Sequence, residues 1–281
     1  MRRGWHLLAS AVTVATLAGC ATDGADSTYL GPFIAAEHAA TPFDPITASR
    51  PTADFASAYR IQQRYVRHRL RAGDTVAGYK GGLMSHASLK ARNVAEPLVA
   101  VLFGSGRADD GATISLCGYR KASFELKLGY LLPSSLADRS RGVMVLPVID
   151  LPDIAYRDPD HYNAIDMVAA NVSTARYVRG AMRDADRVDL DGVRVSLTRD
   201  GQPIASGLSA ESLGGQRRSL DTVLTLARRT GRDARPGDLI VTGKIGDRGW
   251  LLPGRYSANY GPLGMVRFTV VACAVRPAVA S

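Results

Sequence analysis

Between residues 75 and 151 the chain carries five short apolar or alternating runs. They are "TVAGYKGGL", "LVAVLFG" and the stretches 112–119, 122–132 and 143–149, several of them broken by glycine. Runs of this length and punctuation read as strands, and strands must be buried in a sheet or a barrel. Within them "SFELKLGYLL" (123–132) alternates with period two, which places Ser123, Glu125 and Lys127 on one face. Downstream, "GVRVSLTRDGQPIASG" (192–207) has Asp200-Gly201 between two alternating runs and predicts a hairpin. Strands are also expected over 238–246 and 265–275. Helices are expected over 56–71, over 164–182, and over 219–231, the last with Ser219 as N-cap and Gly231 closing it. The fold class that follows is α+β: a β-rich core barrel or sheet with flanking helices.

The N-terminus reads as an address. Arg2 and Arg3 precede an apolar run from Leu7 to Leu17, too short to span a bilayer, and Leu17-Ala18-Gly19-Cys20 resembles the bacterial lipobox. The expectation is a signal peptide over 1–19, lipidation at Cys20, and anchoring at the cell envelope. Ala21 is not Asp, so the outer membrane facing the periplasm is the expected site; the alternative is an ordinary secreted chain. Residues 20–54, rich in Ala, Thr, Asp and Pro, read as a tether, 55–276 as one domain and 277–281 as a tail. Removing Arg2 and Arg3 from 35 basic residues leaves 33 against 26 acidic ones, a net of +7. That charge is scattered, with no run of five, which argues against nucleic acid as a partner. Cys117 and Cys273 both lie in strand-like stretches and could form a disulfide or stay as two buried thiols.

Six stretches in order resemble one family. They are "GYKGGL" (78–83), "NVAEPLVAVLF" (93–103), "SFELKLGYLL", "LPVIDLPD" (146–153), "DMVAANVSTARYVRG" (166–180) and "GDLIVTGKIG" (237–246), the last followed by "PGRYSANYGPLGMVRF". Across about 200 residues the chain resembles the fumarylacetoacetate hydrolase superfamily, in its 2-hydroxypenta-2,4-dienoate (2-keto-4-pentenoate) hydratase branch. The resemblance implies a β-rich barrel-like core, a homo-oligomer, a Mg²⁺- or Mn²⁺-dependent site and a small 2-oxo carboxylate as ligand. It further implies that Lys80 lies beside the substrate and assists proton transfer. It also implies that Glu125 and Asp150 are metal ligands, and that Ser173, Thr174 and Arg176 border the pocket.

The departures from the pattern are as informative. Ser123 stands where the family has the first of two metal-binding glutamates, and Asp153 is the other nearby carboxylate. Leu98 and Ala170 stand where acidic residues are usual. Lys127 falls on the face of Glu125, so its ammonium either occupies the space of the cation, paired with Glu125 and Asp150, or snorkels to solvent. Lys244 could add a second cation against an acidic substrate. His86 and His161 have no partner at ligand or triad spacing and read as structural, and no Gly-x-Ser-x-Gly elbow is present. Two functions remain open: a hydro-lyase or C–C lyase acting on a 2-oxo or 2-hydroxy-dienoic acid, and a non-catalytic lipid-anchored protein that binds carboxylates or serves as structure.

Overall fold

A computed structural model describes residues 19–133, 142–158 and 162–273, with side chains from Thr28 onward. Residues 1–18 of the expected signal peptide, the Cys20 side chain, His161 and the 277–281 tail lie outside the described residues.

The first difference from expectation is at the tether. Residues 20–54 contain α1 (Gly19–His38) and α2 (Ile46–Ser49), followed by α3 (Phe55–Arg71). Tyr29, Phe33 and Glu37 recur every four residues and so share one helical face. Phe33 packs against Phe43 and Tyr65, with ring centroids 4.7 and 5.1 Å away. Glu37 accepts hydrogen bonds from Tyr65 Oη at 2.6 Å and Arg69 Nη1 at 3.2 Å. A three-residue stripe inside an Ala- and Thr-rich segment is too sparse to stand out by composition. α3 starts where the sequence places it, because Asp54 and Ser57 form a reciprocal cap, with Ser57 N donating to Asp54 Oδ1 at 2.8 Å.

Next in the chain come β1 (Val76–Gly82), α4 (His86–Ala91), β2 (Leu98–Phe103), β3 (Arg107–Asp109), β4 (Thr113–Ser115), β5 (Ser123–Leu131) and β6 (Met144–Leu151). They are followed by α5 (Ala164–Ala169), β7 (Arg176–Arg179), β8 (Arg183–Asp184), β9 (Arg194–Arg199) and β10 (Gln202–Leu208). The last elements among the described residues are α6 (Gln216–Arg229), β11 (Leu239–Trp250), β12 (Gly254–Asn259) and β13 (Met265–Val271). One sheet runs β2-β1-β11-β5-β6-β7-β3, with β8 beside β6, and curls into a half-barrel; the second runs β10-β9-β12-β13-β4. This is the α+β class expected.

Pairing of β5 with β6 sets Glu125 opposite Asp150 and Lys127 opposite Val148. Those side chains therefore share a face with Leu146 and Val148, which form a small buried apolar cluster with Leu102, Tyr177, Leu239 and Val241. On the opposite face Leu126, Leu128 and Ile149 enter the main core. A bulge in β11 between Val241 and Lys244 then brings Lys244 opposite Lys127.

Two helix expectations change. The helix expected over 164–182 stops at Ala169. Asn171, Val172 and Ser173 have φ of 50, 49 and 54°, a left-handed turn, and the chain leaves it as β7. The cause is Asn171, which is fully buried. Its Oδ1 accepts from Val101 N and its Nδ2 donates to Val101 O, both at 2.9 Å, so a side chain takes the place of a neighbouring strand beside β2. In α6, Ser219 is not the cap: the helix starts three residues earlier, where Gln216 N donates to Asp191 Oδ1 at 2.7 Å. Ser219 is buried against Ser212, Oγ to Oγ 2.7 Å. The 200–201 hairpin forms as expected, with φ of 51 and 83°.

Of the two cysteine readings the disulfide is realised. β13 lies parallel to β4, and Cys117 and Cys273 each follow their strand by two residues, with Cα atoms 4.6 Å apart.

Candidate functional site

The segment Gly78-Tyr79-Lys80-Gly81-Gly82 lays β1 between β2 and β11. Gly78 has φ +145°, and a Cβ there would stand 1.9 Å from Leu239 O, so only glycine permits this approach of β1 to β11. A Cβ on Gly82 would stand 2.7 Å from Val172 Cγ1, so the left-handed turn sits directly on the lysine strand. Val172 is β-branched and in the left-handed region, an uncommon and strained placement that recurs at functional sites.

Lys80, Glu125, Lys127 and Asp150 converge from β1, β5 and β6. Lys80 Nζ donates to Asp150 Oδ2 at 2.8 Å. Lys127 Nζ lies 3.1 Å from Glu125 Oε2 and 3.3 Å from the same Asp150 Oδ2, and donates to Gly81 O at 3.3 Å. Lys80, Lys127 and Asp150 are almost fully buried, while the Glu125 side chain is 21% exposed and opens the cluster to solvent. Two ammoniums face two carboxylates, so the cluster is neutral overall. Asp150 Oδ1 and the buried Ser123 Oγ have no hydrogen-bond partner among the described residues.

The protonation states follow from this geometry. Burial holds the Lys80 pKa below the ordinary lysine range, and Lys127 adds to that against the pull of Asp150. Burial also acts on Lys127, but Glu125 and Asp150 outweigh it and hold its pKa above the ordinary value. Asp150 is pushed up by burial and, more strongly, down by Lys80 and Lys127, so its carboxyl lies below the ordinary range. Lys80 is thus the looser of the two proton holders.

Lys80, Glu125 and Lys127 line a cavity of about 580 Å³, with Asp150 buried behind them against both lysines. Ser173 and Lys244 also line it, and Lys244 Nζ turns to Gly246 O at 2.7 Å instead of to the carboxylates. Arg92, Tyr162 and Arg248 also line the cavity, and no motif in the sequence points to them. Arg92 follows α4, stands 4.4 Å over the Tyr162 ring and donates from Nη1 to Tyr162 O at 2.8 Å. Nothing local in sequence links position 92 to position 162.

Several expected residues lie elsewhere. Thr174 and Arg176 line a second cavity, because the chain turns into β7 where a helix was expected. Asp153 is committed away from Glu125. It accepts from Arg120 Nε at 2.9 Å and from the backbone N–H groups of Arg120 and Lys121 at 3.0 and 2.7 Å. His86 is exposed on α4, and Leu98 is buried in β2. Among the described residues no three His, Cys, Asp or Glu side chains group as metal ligands would.

No family model matches the chain. Over 238 residues it is 30% identical to the 2-keto-4-pentenoate hydratase of Paraburkholderia xenovorans, covering 80% of this chain and 87% of that one. The solved 4-oxalocrotonate decarboxylase from Pseudomonas putida G7, complexed with magnesium and adipate, superposes with a TM-score of 0.81 at 23% identity, covering 91% of this chain and 99% of that one. The fumarylpyruvate hydrolase from Pseudomonas aeruginosa, in complex with Mn²⁺ and pyruvate, gives a TM-score of 0.52 at 16% identity, covering 69% and 88%.

Proposed function

The chain belongs to the branch of the fumarylacetoacetate hydrolase superfamily that holds 2-keto-4-pentenoate hydratases and 4-oxalocrotonate decarboxylases, and on that premise we propose that its cavity takes a small 2-oxo or 2-hydroxy-dienoic carboxylate for hydration. The observation that carries this reading is the surplus of cations around one cavity. Lys80, Lys127, Arg92, Lys244 and Arg248 line it against Glu125 and Asp247. A carboxylate ligand supplies the missing negative charge.

A divalent ion does not fit this donor set while Lys127 is charged. Glu125 and Asp150 already share their oxygens with ammoniums at 2.8 to 3.3 Å, and the family's third ligand is the hydroxyl of Ser123. Unit charges 4 Å apart interact by about 4 kcal/mol at an effective dielectric of 20, and a dication against an ammonium doubles that to about 8. In the proposed reaction Lys127 supplies the positive charge that a developing enolate oxygen requires. Glu125, the more exposed carboxylate, accepts the proton of the 2-hydroxyl. Lys80, the looser proton holder, protonates the terminal carbon of the dienol. The product of that step is a conjugated 2-oxo acid, and water adds across its remaining double bond. Proton return from Glu125 to Lys80 closes the cycle.

A second reading is supported by Asp150, whose Oδ2 is held by two ammoniums at once. A carboxylate so engaged is a poor base, so Arg92, Lys244 and Arg248 would attract a carboxylate ligand while the neutralised cluster leaves it unreacted. The same experiment separates the readings. Purified protein and Lys80→Met are titrated with 2-oxopentanoate, and loss of dienol absorbance is followed with 2-hydroxypenta-2,4-dienoate. Hydration predicts binding and turnover in the parent, with binding weakened at least about tenfold (~1.4 kcal/mol) in the variant. Binding without turnover selects capture. Equal affinity in a folded Lys80→Met, checked by circular dichroism, removes Lys80 from the site.

We also propose an envelope location, with Cys20 as a lipid anchor. It rests on the Leu17–Cys20 sequence and on the Cys117–Cys273 disulfide, which suits an oxidising compartment.

A further inference from the structure

The second cavity, of about 300 Å³, lies between α1, α3 and the segment 117–120, and Ser173 lines it as well as the first. Its acidic groups are already engaged. Glu37 is held by Tyr65 and Arg69. Asp153 accepts from Arg120 Nε and from two backbone N–H groups. Arg69 also donates from Nη2 to Asp74 and Ser105.

Two guanidiniums in this lining keep free donors. The Arg120 side chain is 8% exposed, stands 5.1 Å over the Phe43 ring, and its buried Nη1 has no partner among the described residues. A buried charged donor without an acceptor is costly, and such orphans call for an explanation. The exposed Arg176 makes no side-chain hydrogen bond or ion pair among the described residues, and it lies near enough to Tyr119 to act on its hydroxyl electrostatically. Arg69 is matched by Glu37 and Asp74 and Arg120 by Asp153, which leaves Arg176 as the guanidinium of the lining without a carboxylate among the described residues. The Phe43 ring beneath Arg120 and the Nε contact to Asp153 fix the guanidinium from two sides, and arginine recognises oxyanions through the N–H donors that remain.

We propose that this cavity is a second anion site, in which a small oxyanion, carboxylate or phosphate, bridges the guanidiniums of Arg120 and Arg176. It is distinct from the lysine cavity and separated from it by the wall that carries Ser173. The left-handed turn at 171–173 is therefore a partition with a pocket on each side.

The test titrates inorganic phosphate, and separately acetate, into the full-length protein by calorimetry. Arg176→Gln changes an exposed residue and leaves the Arg120–Asp153 pair in place. It should weaken binding of the preferred anion at least about tenfold while 2-oxopentanoate affinity stays within about twofold. Lys80→Met should leave that anion's affinity unchanged. Stronger binding of phosphate or of acetate identifies which oxyanion the site takes. Undetectable binding of both by the parent overturns the proposal, as does equal affinity in Arg176→Gln. Loss of the anion in Lys80→Met also overturns it, because that would mean a single site. These outcomes hold whether or not 2-hydroxypenta-2,4-dienoate turns over or 2-oxopentanoate binds in the first cavity.

Discussion

Lys127 places an ammonium between Glu125 and Asp150, within 3.3 Å of an oxygen of each. If that ammonium does the work of a cation, the parent protein should bind Mn²⁺ only weakly in a calorimetric titration. Ser123→Glu with Lys127→Ala adds a negative ligand and removes the competing charge, while Lys80 still holds Asp150. Mn²⁺ affinity should then rise by an order of magnitude or more, since ~1.4 kcal/mol already gives tenfold. Tight binding by the parent would sink the idea, and so would equally weak binding by both. The shared face of Glu125 and Lys127 was legible in the sequence because strand alternation fixes it from two positions alone. The meeting of Lys80 with Asp150 was visible only through family resemblance, since 70 residues separate them and the pairing depends on the order of strands.

Among the elements, the turn at 171–173 decides most about the two cavities. Asn171 supplies both a donor and an acceptor to Val101 in the middle of the fold. Asn171→Ala leaves two buried backbone groups of β2 unpaired, at about 1–3 kcal/mol each. It also removes a side chain that tolerates the left-handed region. Urea denaturation should show a loss of about 3 kcal/mol, with Asn171→Asp falling between because it keeps only the acceptor. A loss below about 0.5 kcal/mol would mean that Asn171 does not anchor the turn. The apolar pattern of "DMVAANV" gave no warning, because Val168, Ala169, Ala170 and Val172 are all buried and continue a helical stripe. A buried polar residue that replaces a strand hydrogen bond has no periodic signature. The turn into β7 in place of a longer helix is also what puts Arg176 on the second cavity. The hairpin at 200–201 and the helix at Phe55–Arg71 were legible because turn and cap chemistry is local.

For the molecule as a whole, the envelope proposal has a direct check. Cys20→Ser should release the protein from the membrane fraction or leave an unprocessed precursor. Unchanged fractionation with unchanged processing would rule the anchor out. Where the body would then sit follows from α1. A disordered run of 35 residues would let it wander by about 30 Å, at 5–6 Å times the square root of length. In helical form, the nine residues from Cys20 to Tyr29 span only ~14 Å, and Tyr29 is already packed in the core. An anchored molecule would ride close against the lipid surface on a short stiff stalk instead of roaming on a leash. Its search for ligand would be confined to a layer one molecule deep, with one side of the body always shaded by the bilayer.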